Sequence, residues 1–149
     1  MKTLVRTNNN EKGVLLSVIY HPTTTKNLNL TIAKQRKQFL KEFAAYKAWL
    51  EEIAIAKGKP FVIVGDFNFS TSVEIKAKNK MLQELNLGSH IRENMVTHIK
   101  GKALDLVLEA NNARRVWRVE VDRTPDPIDG SRPRLKSDHY PIKFKYILG

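Results

Sequence analysis

Acidic side chains stand at places in this chain where they are costly unless they do work. The run Val62-Ile63-Val64-Gly65-Asp66-Phe67-Asn68 ends an apolar stretch on a carboxylate, which must then face a cleft, a partner or a metal. Gly65 lets the backbone turn sharply there, although an isolated G-D-x-N is most often an Asx-turn that simply ends a strand. Asp105 interrupts Leu104-Asp105-Leu106-Val107-Leu108. Period-two alternation sets it with Val107 on one face and the leucines on the other, so it needs a partner if both faces are buried and meets water if it lies at an edge. Just upstream, Thr97, His98 and Gly101 form a polar turn whose hydroxyl and amides could meet an anion. Ser137-Asp138-His139 stands before Pro141. Alone it reads as a surface turn, and neighbours along an extended chain point to opposite sides, so Asp138 and His139 must pair elsewhere. His139 can take Asp105 as its orienting carboxylate, while Asp138 faces a metal or Asp66. Together these acids, an amide and an imidazole form an oxygen-rich set suited to Mg²⁺ or Mn²⁺. That set fits metal-assisted phosphodiester hydrolysis, with His139 as the base on water and the metal neutralising charge on the phosphate.

The elements that must position these groups follow from hydrophobic period and turn chemistry. Lys2 to Arg6, a polar turn through Asn8, Asn9, Asn10 and Gly13, and the apolar run Val14 to Tyr20 read as a hairpin. Between Asn29 and Gly58, Ile32, Phe39, Phe43, Tyr46, Leu50 and Ile53 recur at helical spacing, with Asn29 or Thr31 as the cap and Gly58 as the stop. The aromatic residues of this helix, Trp49 included, are expected in the core. Phe61 to Val64 reads as a strand buried on both faces, completing a βαβ unit with its strands parallel or near neighbours. A shorter helix is expected over Lys78 to Leu87, ending at Gly88, and strands over Ala103 to Glu109, Arg115 to Val121 and Pro141 to Leu148. This order predicts α/β layers with antiparallel strands added late. The intervening loop, Asp122 to Ser137, carries Arg132, Arg134 and Lys136 just before Ser137, which would bring positive charge to the mouth of the site and onto substrate phosphates.

The chain has 149 residues, 42% hydrophobic and 28% charged, usage that fits one globular domain and excludes a disordered polymer. No cysteine is present, which removes disulfides, thiol nucleophiles and cysteine-type zinc sites. No apolar run reaches the ~18 residues of a membrane span, and the N-terminus lacks a signal-peptide apolar segment, so a soluble, intracellular chain is expected. The net charge of +11 is uneven: residues 1–60 carry 11 Lys/Arg against 4 Asp/Glu, residues 61–110 carry 6 against 6, and residues 111–149 carry 9 against 5. Two basic flanks therefore bracket a neutral segment that holds Asp66, Asn68 and Asp105. Such a balance suits either a polyanion partner or a solvated surface.

Four stretches, in order and at matching spacing, resemble the endonuclease/exonuclease/phosphatase superfamily, which includes pancreatic-type deoxyribonuclease, abasic-site endonucleases and the endonuclease domains of non-LTR retrotransposons. They are Ile19-Tyr20-His21-Pro22, Val62 to Asn68, Thr97 through Gly101 to Leu108, and Ser137-Asp138-His139-Tyr140-Pro141-Ile142. The wording of the third is most similar to the retrotransposon branch. The resemblance implies a deoxyribonuclease-like α/β fold, a two-sheet sandwich of which this chain forms a portion, with a mixed sheet, a long helix on one face and the active site at one rim. It implies that Asp66 handles a proton on the nucleophile or leaving oxygen and helps hold the metal, and that Asn68 bonds the scissile phosphate. Asp105 would orient His139, Asp138 would contact the Mg²⁺ or Mn²⁺ ion, and Tyr20 would donate to a phosphate oxygen, with Thr97 a further phosphate contact. DNA is the implied partner, with no membrane role, and the nucleus is among the implied locations.

The resemblance also has a missing half. Family members open with a first sheet that supplies an Asn and a metal-binding Glu, and here only about a dozen residues precede Val14, with Glu11 in a polar turn that does not match. The chain is thus expected to be a single domain over residues 1–149 that lacks the family's N-terminal part. The sheet left open favours a homodimer or a complementing chain. If loss of one metal ligand removes on the order of 3 kcal/mol of transition-state stabilisation, the rate falls about a hundredfold or more, so weak endonuclease activity is expected. A catalytically silent nucleic-acid-binding remnant and a phosphatase of the same superfamily are the alternatives.

Overall fold

The computed structural model describes residues 13–21, 31–131 and 137–148, together with the backbone of residues 2–6. Strands β1 (Lys2–Arg6) and β2 (Leu15–Tyr20) pair antiparallel; helix α1 (Ile32–Lys57) follows, then strand β3 (Phe61–Asp66), which lies parallel to β2. After helix α2 (Ser72–Glu84) come the short strand β4 (Leu87–Ser89) and β5 (Asp105–Ala110), completing a mixed sheet of order β1-β2-β3-β5-β4. Strands β6 (Val116–Val121) and β7 (Ile142–Tyr146) form a separate antiparallel pair. The expected α/β architecture, with its mixed sheet and long helix on one face, is the one observed. Of the expected features, the turn through Asn8 to Asn10, the candidate cap Asn29 and the cluster Arg132, Arg134 and Lys136 lie outside the described residues.

Helix α1 starts and stops on local chemistry. The Thr31 hydroxyl accepts from the Lys34 amide at 3.3 Å, and Gly58, at φ +61°, closes the helix while the Lys59 amide donates back to the Ala54 carbonyl at 3.0 Å. Phe43, Tyr46, Leu50 and Ala54 line the buried face of the helix. They share a core with Leu15 and Ile19 of β2 and with Phe61 and Ile63 of β3, and the Tyr46 hydroxyl hydrogen-bonds that of Ser17 on β2. Trp49, expected inside, is 47% exposed and leans on Tyr46 from outside. The strands of the βαβ unit approach so closely that a Cβ on Gly65 would meet the Ile19 carbonyl oxygen at 2.0 Å.

The second helix begins at Ser72, not Lys78, because Thr71 and Glu74 form a capping box: Thr71 accepts from the Glu74 amide and Glu74 from the Thr71 amide. It ends before Asn86, which turns the chain at φ +55° into β4, a strand too short to show a sequence period. On the face of the sheet away from α1, the β6–β7 pair covers Val107 through Ile142 and Phe144 but leaves Val18 and Tyr20 of β2 exposed. The resulting groove, about 400 Å³, also has Val64 in its wall and ends on Asp66 and Asp105.

Candidate active site

Register builds the site. Tyr20 on β2 pairs with Asp66 on β3, and Asp66 pairs with Asp105 on β5, so three candidate residues occupy one row across the sheet, at the rim where β2 and β3 end and β5 begins. Residues 106–109 of β5 are all buried, so both strand faces are covered and Asp105 needs the partner that a buried carboxylate requires. That partner is His139. Its Nδ1 lies 2.8 Å from Asp105 Oδ2, and its Nε2 lies 3.3 Å from Asp66 Oδ2, so the imidazole is shared between the two carboxylates.

His139 is delivered by a stitched pair of loops. The Ile99 amide donates to the Asp138 carbonyl at 2.9 Å, and the Tyr140 amide donates to the Thr97 carbonyl at 2.8 Å, which pins His139 opposite His98. Thr97 is fully buried, and its hydroxyl accepts from the Leu104 amide at 2.9 Å and the Asp105 amide at 3.2 Å. The structure places this hydroxyl beneath Asp105, where it sets the start of β5.

Asn68 takes a similar internal place. Its backbone is left-handed at φ +53°, its amide N–H donates to Asp66 Oδ1 at 3.0 Å, and its buried side chain donates through Nδ2 to the His21 carbonyl. Asn68 thereby aims Asp66 and ties it to the chain following Tyr20. The Arg36 guanidinium of α1 donates through Nη2 to the Asn68 carbonyl at 2.9 Å and through Nε to Glu74 at 2.6 Å, locking this turn to both helices. Tyr20 is half exposed at the mouth of the groove.

Electrostatics at the rim favour a proton on Asp66. Burial, and then the neighbouring Asp105 carboxylate, push its carboxyl up to about 6, against the opposing pull of His139 and the Asn68 hydrogen bonds. One ligand atom from each of Asp66, Asp105 and His139 lies within 4.8 Å of the others. Two carboxylate oxygens and an imidazole nitrogen at this spacing could together hold a metal ion. The sequence pairs Asp138 with Asp66 as metal contacts, whereas the structure groups Asp66 with Asp105 and His139 and leaves Asp138 exposed and outside that group.

His98, which shows no partner in the sequence, packs its ring perpendicular to His139 at 4.8 Å, while its Nδ1 accepts from the Lys100 amide at 3.1 Å. Nothing in the sequence signals that contact except the adjacency of Thr97 and His98. The Arg36–Glu74 support was half legible, since T-x-x-E over 71–74 is a capping pattern.

No protein-family model matches the chain, and no curated protein matches its sequence. Solved structures do match, and the fold they share is deoxyribonuclease-like. The Staphylococcus aureus beta toxin 275-280 structure superposes with a TM-score of 0.64 at 19% identity over 98% of this chain and 57% of that one. The endonuclease domain of TRAS1, a telomere-specific non-LTR retrotransposon, superposes at 0.61 with 13% identity over 97% and 63%. The cytolethal distending toxin of Actinobacillus actinomycetemcomitans superposes at 0.54 with 15% identity over 97% and 58%. The chain therefore spans 57% to 63% of the length of these neighbours. Among the described residues, no helix is long and apolar enough to cross a membrane.

Proposed function

We propose that this chain is a divalent-metal-dependent endonuclease that hydrolyses DNA phosphodiester bonds, of the kind found in non-LTR retrotransposons, with weak activity over the span present here. The observation that carries this reading is the imidazole of His139 held between Asp105 and Asp66 at the end of an open groove. Asp105 holds the ring through Nδ1, leaving Nε2 toward Asp66 on a side chain about one-third exposed, where it can take a proton from water. Asp66, with its carboxyl raised to about 6, can hold a proton near neutral pH and pass it to a leaving oxygen. Tyr20, half exposed beside Asp66 in the groove wall, serves as a hydroxyl donor to a phosphate oxygen. A bound Mg²⁺ or Mn²⁺ ion would supply charge neutralisation at the phosphate, and Asp105, together with Asp66 while its carboxyl is ionised, is placed to hold it. The likeness to the TRAS1 endonuclease domain supports DNA as the substrate. The +11 charge supports attraction to an anionic backbone.

Three substrates separate this reading from its alternatives: bis(p-nitrophenyl) phosphate, p-nitrophenyl phosphate and a duplex oligonucleotide, each with Mn²⁺, with Mg²⁺ and with EDTA. Metal-dependent turnover of the diester and the oligonucleotide, and not of the monoester, is the expected outcome. Preference for the monoester would identify a phosphatase. Salt-sensitive DNA binding with no turnover would identify a silent binding module.

A further inference from the structure

Away from the rim, the outward face of the β6–β7 pair presents one indole between two cations. Trp117 is 41% exposed, with the Arg118 guanidinium 4.7 Å and the Lys145 ammonium 5.2 Å from its ring centroid. Lys145 is there by register, as the direct cross-strand partner of Trp117. Arg118 is there because the strand is irregular. From Trp117 to Glu120 the chain advances three residues while its partner advances two, from Lys145 to Lys143, so one extra residue is bulged. Arg118, at φ +49°, adopts the left-handed conformation that non-glycine residues seldom take. Regular alternation would have sent its side chain to the opposite face. Lys143 is also exposed, with Glu120 as its cross-strand partner.

We infer that this face is a second nucleic-acid contact, one that binds a single-stranded polynucleotide by stacking a base on Trp117 and seating the adjacent phosphates on Arg118 and Lys145. The choice of polynucleotide rests on the endonuclease reading; the choice of single strand rests on the indole, because a stacking platform needs an unpaired base face. A stacked base is a stronger ligand for an exposed aromatic ring than a solvated cation, so the cations are displaced onto the flanking phosphates. Lys143 continues the charge along β7 toward the rim. His139 and Lys145 lie six positions apart along β7 and the turn before it, at most roughly 20 Å, a distance a dT12 oligonucleotide can span. A substrate strand held on Trp117 thus reaches the carboxylate cluster.

The test uses the full chain in EDTA, so that binding is read without cleavage. In a Trp49→Phe background the remaining indole reports on this face. Titration with a dT12 oligonucleotide should quench its emission. Trp117→Ala should weaken binding of a labelled dT12 about tenfold, measured by anisotropy. The double variant Arg118→Ala/Lys145→Ala should lower the slope of log affinity against log salt by about 1.4, two phosphates' worth for a single strand. Circular dichroism of the variants confirms folding, and Trp117→Ala should turn over the small diester reporter as the parent does. Unchanged emission, or affinities and slopes equal to the parent's, would overturn the inference. So would equal binding of a duplex without quenching, or quenching by 7:3 phosphatidylcholine:phosphatidylserine vesicles and not by dT12. Should the reporter show no turnover while dT12 still quenches Trp117, the endonuclease reading fails and this contact stands.

Discussion

Acid should weaken this protein through His21. The imidazole is only 6% exposed, stacked on Phe39 at 4.1 Å and edge-on to Phe69, and its Nε2 has no hydrogen-bond partner among the described residues. Burial, and then the neighbouring Arg36 cation, hold its pKa near 4 instead of 6.5. Between these two values the unfolded chain binds the proton and the folded chain does not, so stability falls as pH drops through the window. A displacement of that size corresponds to about 3 kcal/mol as an upper bound. Asp66 acts in the opposite sense. Its carboxyl, raised from 3.8 to about 6, takes a proton more readily in the folded chain, and stability therefore rises as pH falls between those values. The two contributions oppose each other in overlapping windows, so the wild-type curve alone is uninformative and a difference measurement is required. His21→Phe keeps the ring stack and removes the titration. Urea unfolding of both proteins at pH 7 and pH 4 should show wild type losing more stability than His21→Phe, by up to about 3 kcal/mol. Parallel curves would refute the reasoning, because they would mean that His21 protonates in the folded chain as readily as in water.

The other expectations come from single contacts. Gly65→Ala places a methyl group against the Ile19 carbonyl, a clash with backbone that no rotamer relieves, and should cost more than about 4 kcal/mol or abolish soluble expression; a mild loss in urea would show that β2 and β3 can separate. Thr97→Val removes the acceptor of the Leu104 and Asp105 amides and should cost about 2 to 3 kcal/mol in urea unfolding, while Thr97→Ser retains most of the stability; equal losses from both would refute the hydroxyl's role. Mn²⁺ at about a hundred times its Kd should raise the Tm by about 5–10 °C, and Asp66→Asn/Asp105→Asn should abolish that rise; a shift unaffected by the double substitution would place the ion elsewhere.

Much of the site was legible because its residues violate local rules. Asp66 ends an apolar run and Asp105 interrupts one, and a charge so placed in a buried strand announces a partner. The βαβ unit was legible for the same reason that it folds: Thr31 and Gly58 bound a helix whose apolar stripe has helical period. Register was beyond local reading. That Tyr20, Asp66 and Asp105 share a row depends on hydrogen bonding between strands remote in sequence. The bonds of the Thr97 hydroxyl to the Leu104 and Asp105 amides and of the Asn68 side chain to the His21 carbonyl were hidden likewise, since they depend on how separate segments pack. His21 is buried by Phe39 and Phe69, which come from separate segments, and no pattern around His21 itself reports that contact.

The central claim is that Asp66, Asp105 and His139 together form the site of phosphodiester cleavage. Supercoiled-plasmid nicking with Mg²⁺ tests it most directly, using wild type, Asp66→Ala and His139→Ala purified in parallel. The account predicts nicking by wild type that EDTA abolishes, and rates for both variants lower by about 10²- to 10⁴-fold, the range of a lost acid–base group. Equal nicking by all three proteins would contradict it.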